Sequence, residues 1–240
     1  MIKNIARNIL LRLLPKSVVS IYNIENGGDN IYFSQEGEDI VLERFFTGKE
    51  KGFYVDIGAH HPTRFSNTYK SYLKGWRGIN IDATPGSMKP FELMRPGDIN
   101  LEVGISTGSG EIEYYIMNEP ALNTFSKQRV DFLIADTPYV LVKSVVVKTK
   151  TLAQVLDEYL PANQPIDFLT IDAEGLDFEI LQSNDWRKYR PSIVLTEEWS
   201  GSLEGLSDSK LYKLLNPLGY ELYAKTVSTV FFKDSLKRDS

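Results

Sequence analysis

Short apolar runs alternate with amphipathic stretches along most of this chain. Runs rich in β-branched and aromatic residues, bounded by glycine, proline or polar residues, predict strands. The predicted strands are Phe53–Gly58, Gly78–Asp82, Ile99–Ser106, Ile166–Asp172 and Ser192–Glu198. Between several of these strands, apolar residues recur at helical spacing and predict further elements. The predicted helices are Ser66–Lys74, Ser87–Met94, Leu152–Leu160 and Phe178–Leu181.

A helix is also predicted before the first strand, in "SQEGEDIVLERFF", with Ser34 as its N-cap and acids in its first turns. Strands that alternate with helices indicate βαβ units and an α/β fold. The central sheet is therefore expected to be mostly parallel, with helices on both faces. The tail "GYELYAKTVSTVFFK" predicts two closing strands in an antiparallel hairpin.

One region departs from this alternation. Glycines in Gly108–Gly110 predict a hairpin that leads from "VGIS" into an added strand, "EIEYYI". Residues Met117 to Ser144 fit no clear pattern, and we expect a loop or a lid over the site there.

The N-terminal segment, residues 1–30, is basic and amphipathic, and the polar, glycine-containing stretch Glu25–Asn30 predicts a linker. Its apolar run is too short to span a bilayer and poor as a signal peptide. A helix that docks on the fold or on a second copy is favoured over peripheral contact with an anionic membrane. Residues 31–240 then form the single large domain.

Composition excludes several classes of protein. The net charge of −5 argues against a general nucleic-acid binder, which normally carries a basic excess. The absence of cysteine excludes disulfides and thiolate-ligated metal sites. The cytoplasm is the default compartment for such a chain.

The predicted strand ends carry the candidate chemistry. In an open parallel sheet, ligands bind beyond the carboxyl ends of the strands. Acids or glycines stand at these ends, although folding of a sheet does not require them: Asp56 with Gly58, Asp82, Gly104, Asp172 with Glu174, and Glu197 with Glu198.

The loop "DIGAHHP" after the first strand resembles a nucleotide-binding turn only in part. Asp82 follows Gly58 by 24 positions, close to the roughly 20 that separate a glycine loop from a ribose-binding acid. However, the loop has one glycine where a pyrophosphate cradle has three. An adenosine ligand without phosphates therefore fits this pattern better.

The blocks "GFYVDIGAHHPTRFSNTYKSYLKGWRGINIDATPGS", "VGISTGSGEIEYYI", "VKTKTLAQVL", "IDFLTIDAEGLDFEIL" and "RPSIVLTEE" resemble the FkbM-type S-adenosylmethionine-dependent methyltransferases. The resemblance implies a Rossmann-like methyltransferase fold, S-adenosylmethionine as cofactor, and O-methylation of a sugar or polyketide-type hydroxyl. It also implies a set of cofactor-binding residues: Asp56, Gly58, Ala59, Asn67, Thr68, Asp82, Ala83, Ile105, Ser106 and Asp172.

The commoner family form has Asn-Asp or a similar pair where this chain has His60 and His61. The histidine form resembles a branch among bacterial surface-glycan genes, which implies a sugar or nucleotide-sugar acceptor. Adjacent residues in extended chain point in opposite directions, so only one histidine is expected to face the site. Since Pro62 suits a first helical position, His61 is alternatively a cap residue.

The proton acceptor and a metal are left open by the sequence. His60, His61, Asp172 and Glu197 are the candidate catalytic residues. Acids at the ends of the last two parallel strands, with one histidine, also suit Mg²⁺ or Mn²⁺. The candidate ligands are Asp172, Glu197 and His61. In the alternative to a metal, these acids only bind sugar hydroxyls or cap helices.

Two other functions compete with methyl transfer. A nicotinamide-dependent sugar oxidoreductase or epimerase would need three glycines in the first loop and a Tyr-x-x-x-Lys pair near the site, and the sequence has neither there. A non-catalytic glycan-binding module would be expected to have lost strand-end acids, yet all are present.

Overall fold

The chain folds into two β-sheets and seven α-helices over the part that the structure, a computed structural model, describes: residues 31–199 and 202–237. The strands are β1 (Phe53–Ile57), β2 (Arg77–Asp82), β3 (Ile99–Glu102), β4 (Gly104–Ile105), β5 (Gly110–Met117), β6 (Leu141–Lys150), β7 (Phe168–Ile171), β8 (Ile193–Glu197), β9 (Tyr220–Lys225) and β10 (Thr229–Asp234). The helices are α1 (Glu38–Phe45), α2 (Tyr69–Leu73), α3 (Met88–Met94), α4 (Lys127–Asp136), α5 (Leu152–Tyr159), α6 (Asp177–Gln182) and α7 (Lys210–Leu215).

The central sheet has seven strands in the order β3-β2-β1-β7-β8-β10-β9. The first five strands of that order run parallel to their neighbours, and β10 is antiparallel to both β8 and β9. Every residue of β1 and β7 is buried, as expected for strands covered on both faces. The predicted α/β sheet and its closing antiparallel hairpin are confirmed.

Separate hydrophobic clusters pack on the two faces of this sheet. One contains Val55 and Ile171 with residues of α5, α6 and α7, and the other contains Tyr54 and Phe168 with residues of α1. From Phe33 onward the described chain forms one compact unit. The predicted amphipathic segment 1–30 and its linker lie outside the described residues. No helix within the described ranges is long and apolar enough to cross a bilayer.

The second sheet corrects the prediction around Gly108. The predicted strand Ile99–Ser106 divides at Val103 into β3, which pairs with β2, and β4, which joins the second sheet. That sheet has the order β4-β6-β5, so β6 separates the two strands expected to form a hairpin. The predicted loop Met117–Ser144 contains α4 and the beginning of β6. Strand β6 is largely exposed at its start and lacks the clean alternation that would have predicted it.

The first helix also begins later than expected. Gly37, with a φ of 90°, precedes its first residue, Glu38. The predicted cap, Ser34, is not the residue before the helix, but its hydroxyl donates to Asp39 Oδ1 at 2.8 Å and accepts from the Asp39 amide in the first turn at 3.3 Å. Helix α2 begins at Tyr69, later than the predicted Ser66, and the Ser66 hydroxyl accepts from the Tyr69 amide at 3.1 Å.

Candidate active site

The glycine loop after β1 is packed against the end of β7. Gly58 has a φ of 77°, and a Cβ atom there would lie 1.8 Å from the Asp172 carbonyl oxygen. The amides of Gly58 and Ala59 both donate to the Ile81 carbonyl oxygen, at 2.9 and 3.0 Å. Only glycine fits this position, because a side chain would overlap the backbone of the neighbouring strand end.

Asp82 connects this loop to the end of β2. Its Oδ2 accepts from the His60 amide at 2.9 Å, and its Oδ1 accepts from the Thr84 amide at 2.7 Å. A carboxylate has about four acceptor positions, so two are left for a ligand. The carboxylate is therefore oriented before any ligand arrives.

These elements form one wall of a cleft at the carboxyl edge of the central sheet. The cleft holds about 470 Å³ of space open to solvent. The central sheet contributes Gly58, Asp82, Ala83, Asp172 and Glu174. The second sheet contributes Ile105 and Tyr114, and the chain between β5 and β6 contributes Asn123 and Phe125.

Five of the predicted cofactor residues line this cleft, and five do not. Gly58, Asp82, Ala83, Ile105 and Asp172 are lining residues, whereas Asp56, Ala59, Asn67, Thr68 and Ser106 are not among them.

Those five residues have structural contacts instead. Ala59 packs with Met88 and Phe91, and the Ser106 amide donates to the Lys150 carbonyl oxygen at 3.0 Å.

A buried network lies behind the glycine loop. The Thr68 hydroxyl donates to Asp56 Oδ2 at 2.6 Å, and Arg95 Nη1 donates to the same hydroxyl at 2.8 Å. Burial raises the pKa of Asp56 to about 6, although the Thr68 hydroxyl and the Arg95 charge act in the other direction. Asn67 donates to the Thr170 hydroxyl on β7 at 2.9 Å. Asp56, Asn67 and Thr68 thus hold the loop that lies over the strand ends.

The two histidines have different surroundings, although His60 is not in the extended conformation on which the sequence prediction is based. His60 has a φ of 53° and lines the cleft. Its Nε2 is buried and has no hydrogen-bond partner among the described residues. Burial lowers the pKa of His60, which favours the neutral imidazole. The cleft is therefore lined by a neutral imidazole whose Nε2 has no hydrogen-bond partner among the described residues.

His61 corresponds to the cap interpretation. Its Nδ1 accepts from the amides of Thr63 and Arg64, at 3.2 and 3.1 Å. It does not line the cleft, and the backbone contacts orient its ring. A catalytic role for His61 stays a prediction, and its observed contacts are those of a residue that caps a turn.

An acidic group surrounds the ends of β7 and β8. Removal from water and the facing carboxyls of Glu197 and Glu174 raise the pKa of Asp172 well above its ordinary value. Removal from water, with Asp177 and Glu174 nearby, raises the pKa of Glu197 to about 8. The arrangement therefore favours retention of a proton near neutral pH.

One positively charged side chain, Arg129 of α4, lies next to this acidic group. Arg129 forms an ion pair with Glu174, and its charge opposes the raised pKa of both Glu174 and Glu197. Glu174 has a φ of 50°, and its carbonyl oxygen accepts from the Thr124 hydroxyl at 2.7 Å. The segment after β5 is thus hydrogen-bonded to the loop after β7 that carries Glu174.

The predicted metal ligands do not fit together as a set. Throughout residues 31–199 and 202–237, no three acids or histidines are grouped as a metal would require. Asp172 and Glu197 lie close enough to influence each other, but the Nδ1 of His61 is occupied by backbone amides. Assistance by Mg²⁺ or Mn²⁺ stays a prediction, and the proposed methyl transfer does not include a metal ion.

Several residues that line or support the site were not predicted from the sequence. Tyr114, Asn123 and Phe125 line the cleft, yet they come from the region predicted as an added strand and a loop. Arg95 and Arg129 act through side chains that reach across the fold. No local pattern marks them, because their partners are distant in the sequence.

The cleft fits S-adenosylmethionine on two observations. Asp82 has acceptor positions left for ribose hydroxyls, and Gly58, which has no side chain, lines the cleft beside it. When bound, the cofactor supplies an electrophilic methyl group on a positively charged sulfur.

The strand order and the cleft at the ends of β1, β2 and β7 define a Rossmann-like α/β fold, and the match to a family model identifies its class as a methyltransferase. The sequence profile described as "Methyltransferase FkbM domain" matches residues 56–222. The chain therefore belongs to the FkbM methyltransferase family. Among curated proteins, none matches the sequence significantly.

Solved structures with similar architecture include three methyltransferases. A TehB-like SAM-dependent methyltransferase from Corynebacterium glutamicum is 10% identical, with 91% of this chain and 96% of that chain covered and a TM-score of 0.41. The METTL16 methyltransferase domain is 13% identical, with coverages of 83% and 66% and a TM-score of 0.44. A precorrin-6y C5,15-methyltransferase from Geobacter metallireducens is 13% identical, with coverages of 85% and 93% and a TM-score of 0.38.

Proposed function

We propose that this protein transfers the methyl group of S-adenosylmethionine to a hydroxyl of a carbohydrate, free or as a nucleotide sugar. The observation that carries the proposal is the close pair of carboxyls, Asp172 at the cleft and Glu197 beyond it. A hydroxyl is a poor nucleophile until its proton is removed, and a carboxylate of raised pKa is a better base than an ordinary one.

The proposed step is a direct displacement. The acceptor oxygen forms a bond to the methyl carbon while the carbon–sulfur bond breaks, and the bonding electron pair stays on sulfur. The hydroxyl proton passes to the ionised carboxylate of the Asp172–Glu197 pair, while the other carboxyl keeps the proton that the pair retains. Holding the two reactants in line supplies up to roughly 7–11 kcal/mol of the barrier reduction in well-oriented cases.

The acids also suit a polyhydroxylated acceptor. Each ionised carboxylate oxygen accepts hydrogen bonds, and a sugar offers several hydroxyl donors. His60 is the alternative proton acceptor, since it lines the cleft and its Nε2 has no hydrogen-bond partner among the described residues. Its lowered pKa makes it a weaker base than the carboxyl pair, so we assign the proton to the pair.

The test is transfer of labelled methyl from S-adenosylmethionine to a panel of UDP- and GDP-linked sugars, with and without EDTA. Glu197→Gln should lower kcat by about 10²–10⁴-fold, the range usual for loss of general acid–base catalysis. Binding of S-adenosylhomocysteine, measured by calorimetry, should stay within a few-fold, because Glu197 does not line the cofactor cleft.

His60→Gln and His61→Gln form a matched pair of neighbouring substitutions. If the carboxyl pair is the base, both should retain kcat within about tenfold, whereas a loss confined to His60→Gln would reassign the proton. A protein that binds S-adenosylhomocysteine but methylates no sugar would contradict the proposed acceptor class. Loss of activity in EDTA would require a metal site of other composition.

A further inference from the structure

Trp199 is an exposed aromatic residue two positions after the end of β8. Its exposed fraction is 63%, whereas the other two tryptophans of the chain, Trp76 and Trp186, are only 3% and 8% exposed. Single exposed apolar residues are common and need no explanation by themselves. The contacts of Trp199 distinguish it from such residues.

The indole of Trp199 forms a hydrogen bond with Glu197, a member of the proposed carboxyl pair. A side-chain hydrogen bond from Trp199 reaches Glu197 and counteracts the raised pKa of that carboxyl. Tryptophan has a single donor, the indole N–H, so this bond orients the ring. The polar edge is thus satisfied while most of the side chain stays open to solvent.

Trp199 forms part of the wall of a second cavity, of about 1070 Å³ and open to solvent. Carboxylates of Glu197, Glu198 and Asp208 line the same space. Arg129, Asp177, Phe178 and Lys210 also line this cavity. The cavity therefore combines one oriented aromatic ring with several hydrogen-bonding groups.

We propose that Trp199 is the stacking platform for a pyranose ring of the acceptor. A pyranose has an apolar face of C–H groups and a rim of hydroxyls. Its C–H face would pack on the indole, and its hydroxyls would donate to the carboxylates beside it. The hydrogen bond to Glu197 connects this platform to the carboxyl pair of the proposed reaction.

This inference rests on the proposed function and adds the subsite to it. The occupant is a sugar ring, because an aromatic face next to several carboxylates matches both surfaces of a pyranose. An indole face that instead packs against another protein is one outcome of the test below.

The first measurement uses fluorescence, because Trp199 is the exposed member of the three tryptophans. Methyl glucoside, methyl mannoside, UDP-glucose and GDP-mannose are added to the full chain in the presence of S-adenosylhomocysteine. At least one of them should protect the emission from acrylamide quenching. Protection should be absent in Trp199→Phe, which removes the reporter. Equal quenching with and without every sugar would overturn the platform.

The second measurement uses kinetics on whichever sugar the wild-type protein methylates. Trp199→Ala should raise the KM for that sugar about tenfold or more, while Trp199→Phe keeps most of the affinity because it keeps an aromatic face. Leu203→Ala is the matched control, since Leu203 is 70% exposed and lies outside the cavity lining.

The outcomes separate the two proposals. Sugar methylation with an unchanged KM in Trp199→Ala would overturn the platform and leave the proposed function intact. No methylation of any sugar by the wild-type protein, with S-adenosylhomocysteine still bound, would overturn the proposed function itself. Protein self-association that is lost in Trp199→Ala, measured by light scattering, would assign the indole to an interface and also overturn the platform.

Discussion

Asp82 shows how one residue acquires two roles. Its position at a strand end, a suitable distance after Gly58, predicts a ribose-binding acid from sequence alone. The structure adds that the same carboxylate holds the amides of His60 and Thr84. Neither bond was predictable, because both depend on how the glycine loop folds back over β2.

Asp82→Asn should weaken binding of S-adenosylhomocysteine by about 10–100-fold. Hydrogen bonds to a charged group contribute about 1.5–3 kcal/mol, and the amide removes the charge and one acceptor. Isothermal titration calorimetry measures the change. Glu102→Gln is the control, because Glu102 ends the neighbouring strand and accepts from Gly86 outside the cleft. Equal losses in both variants would contradict the ribose assignment.

For the pair His60 and His61, the sequence did not show which ring faces the site. Alternation of side chains indicates that only one ring faces the site. It does not indicate which, since that depends on the left-handed conformation of His60 and on the amides that the His61 ring accepts.

At the scale of elements, the loop between β1 and α2 depends on α3. Arg95 follows the last residue of α3 and is completely buried. It donates to the Ser66 hydroxyl at 2.7 Å and to Asn80 Oδ1 at 3.2 Å, besides Thr68 and the Pro62 carbonyl oxygen. One guanidinium therefore binds several parts of the loop that carries the site.

Arg95→Met should destabilise the fold by about 3–5 kcal/mol, the usual consequence of removing one partner from a buried charged network. The loss leaves buried acceptors without a donor, so affinity for S-adenosylhomocysteine should fall as well. Urea denaturation and calorimetry measure the two effects. Arg187→Met, on an exposed residue, should change stability by no more than about 0.5 kcal/mol. Similar stability of both variants would show that the network is not needed.

The elements themselves were predicted unevenly. Buried parallel strands such as β1 and β7 are continuous apolar runs, so sequence alone located them within a residue or two. Strand β6 was missed because its exposed residues carry little periodicity. The place of β6 between β4 and β5 depends on long-range pairing, which no local pattern reveals.

At the scale of the whole molecule, acidic residues from distant parts of the chain collect at one edge of the sheet. Asp172 and Glu174 come from the end of β7, Asp177 from α6 and Glu197 from β8. Each has a raised pKa with burial as the main cause. This accumulation opposes folding when the carboxyls ionise, so function here has a cost in stability.

Stability should therefore fall as the pH rises from 7 to 9. In the unfolded chain Glu197 is ionised throughout this range, whereas in the folded protein its pKa of about 8 keeps a proton bound at pH 7. The folded state thus binds more protons, and raising the pH through that pKa removes its advantage. Urea midpoints at several pH values should show a smaller decline in Glu197→Gln than in the wild type.

Glu111→Gln, on the exposed edge of β5, is the control and should retain the wild-type dependence. Parallel declines in all three proteins would place the titrating groups elsewhere.

Sequence by itself determined the class of this protein. Strand periodicity, the single glycine and the strand-end acids are local features, and they predicted the α/β sheet with Gly58, Asp82 and Asp172 at its cleft. The resemblance of five sequence blocks to the FkbM family added the methyltransferase fold and the cofactor. Tertiary structure alone decided that Asp56 and Thr68 support the loop from behind, that His61 caps a turn, and that a second sheet contributes to the cleft lining. The physical reason is that side-chain direction and pairing between distant segments are set by packing, which a linear pattern does not contain.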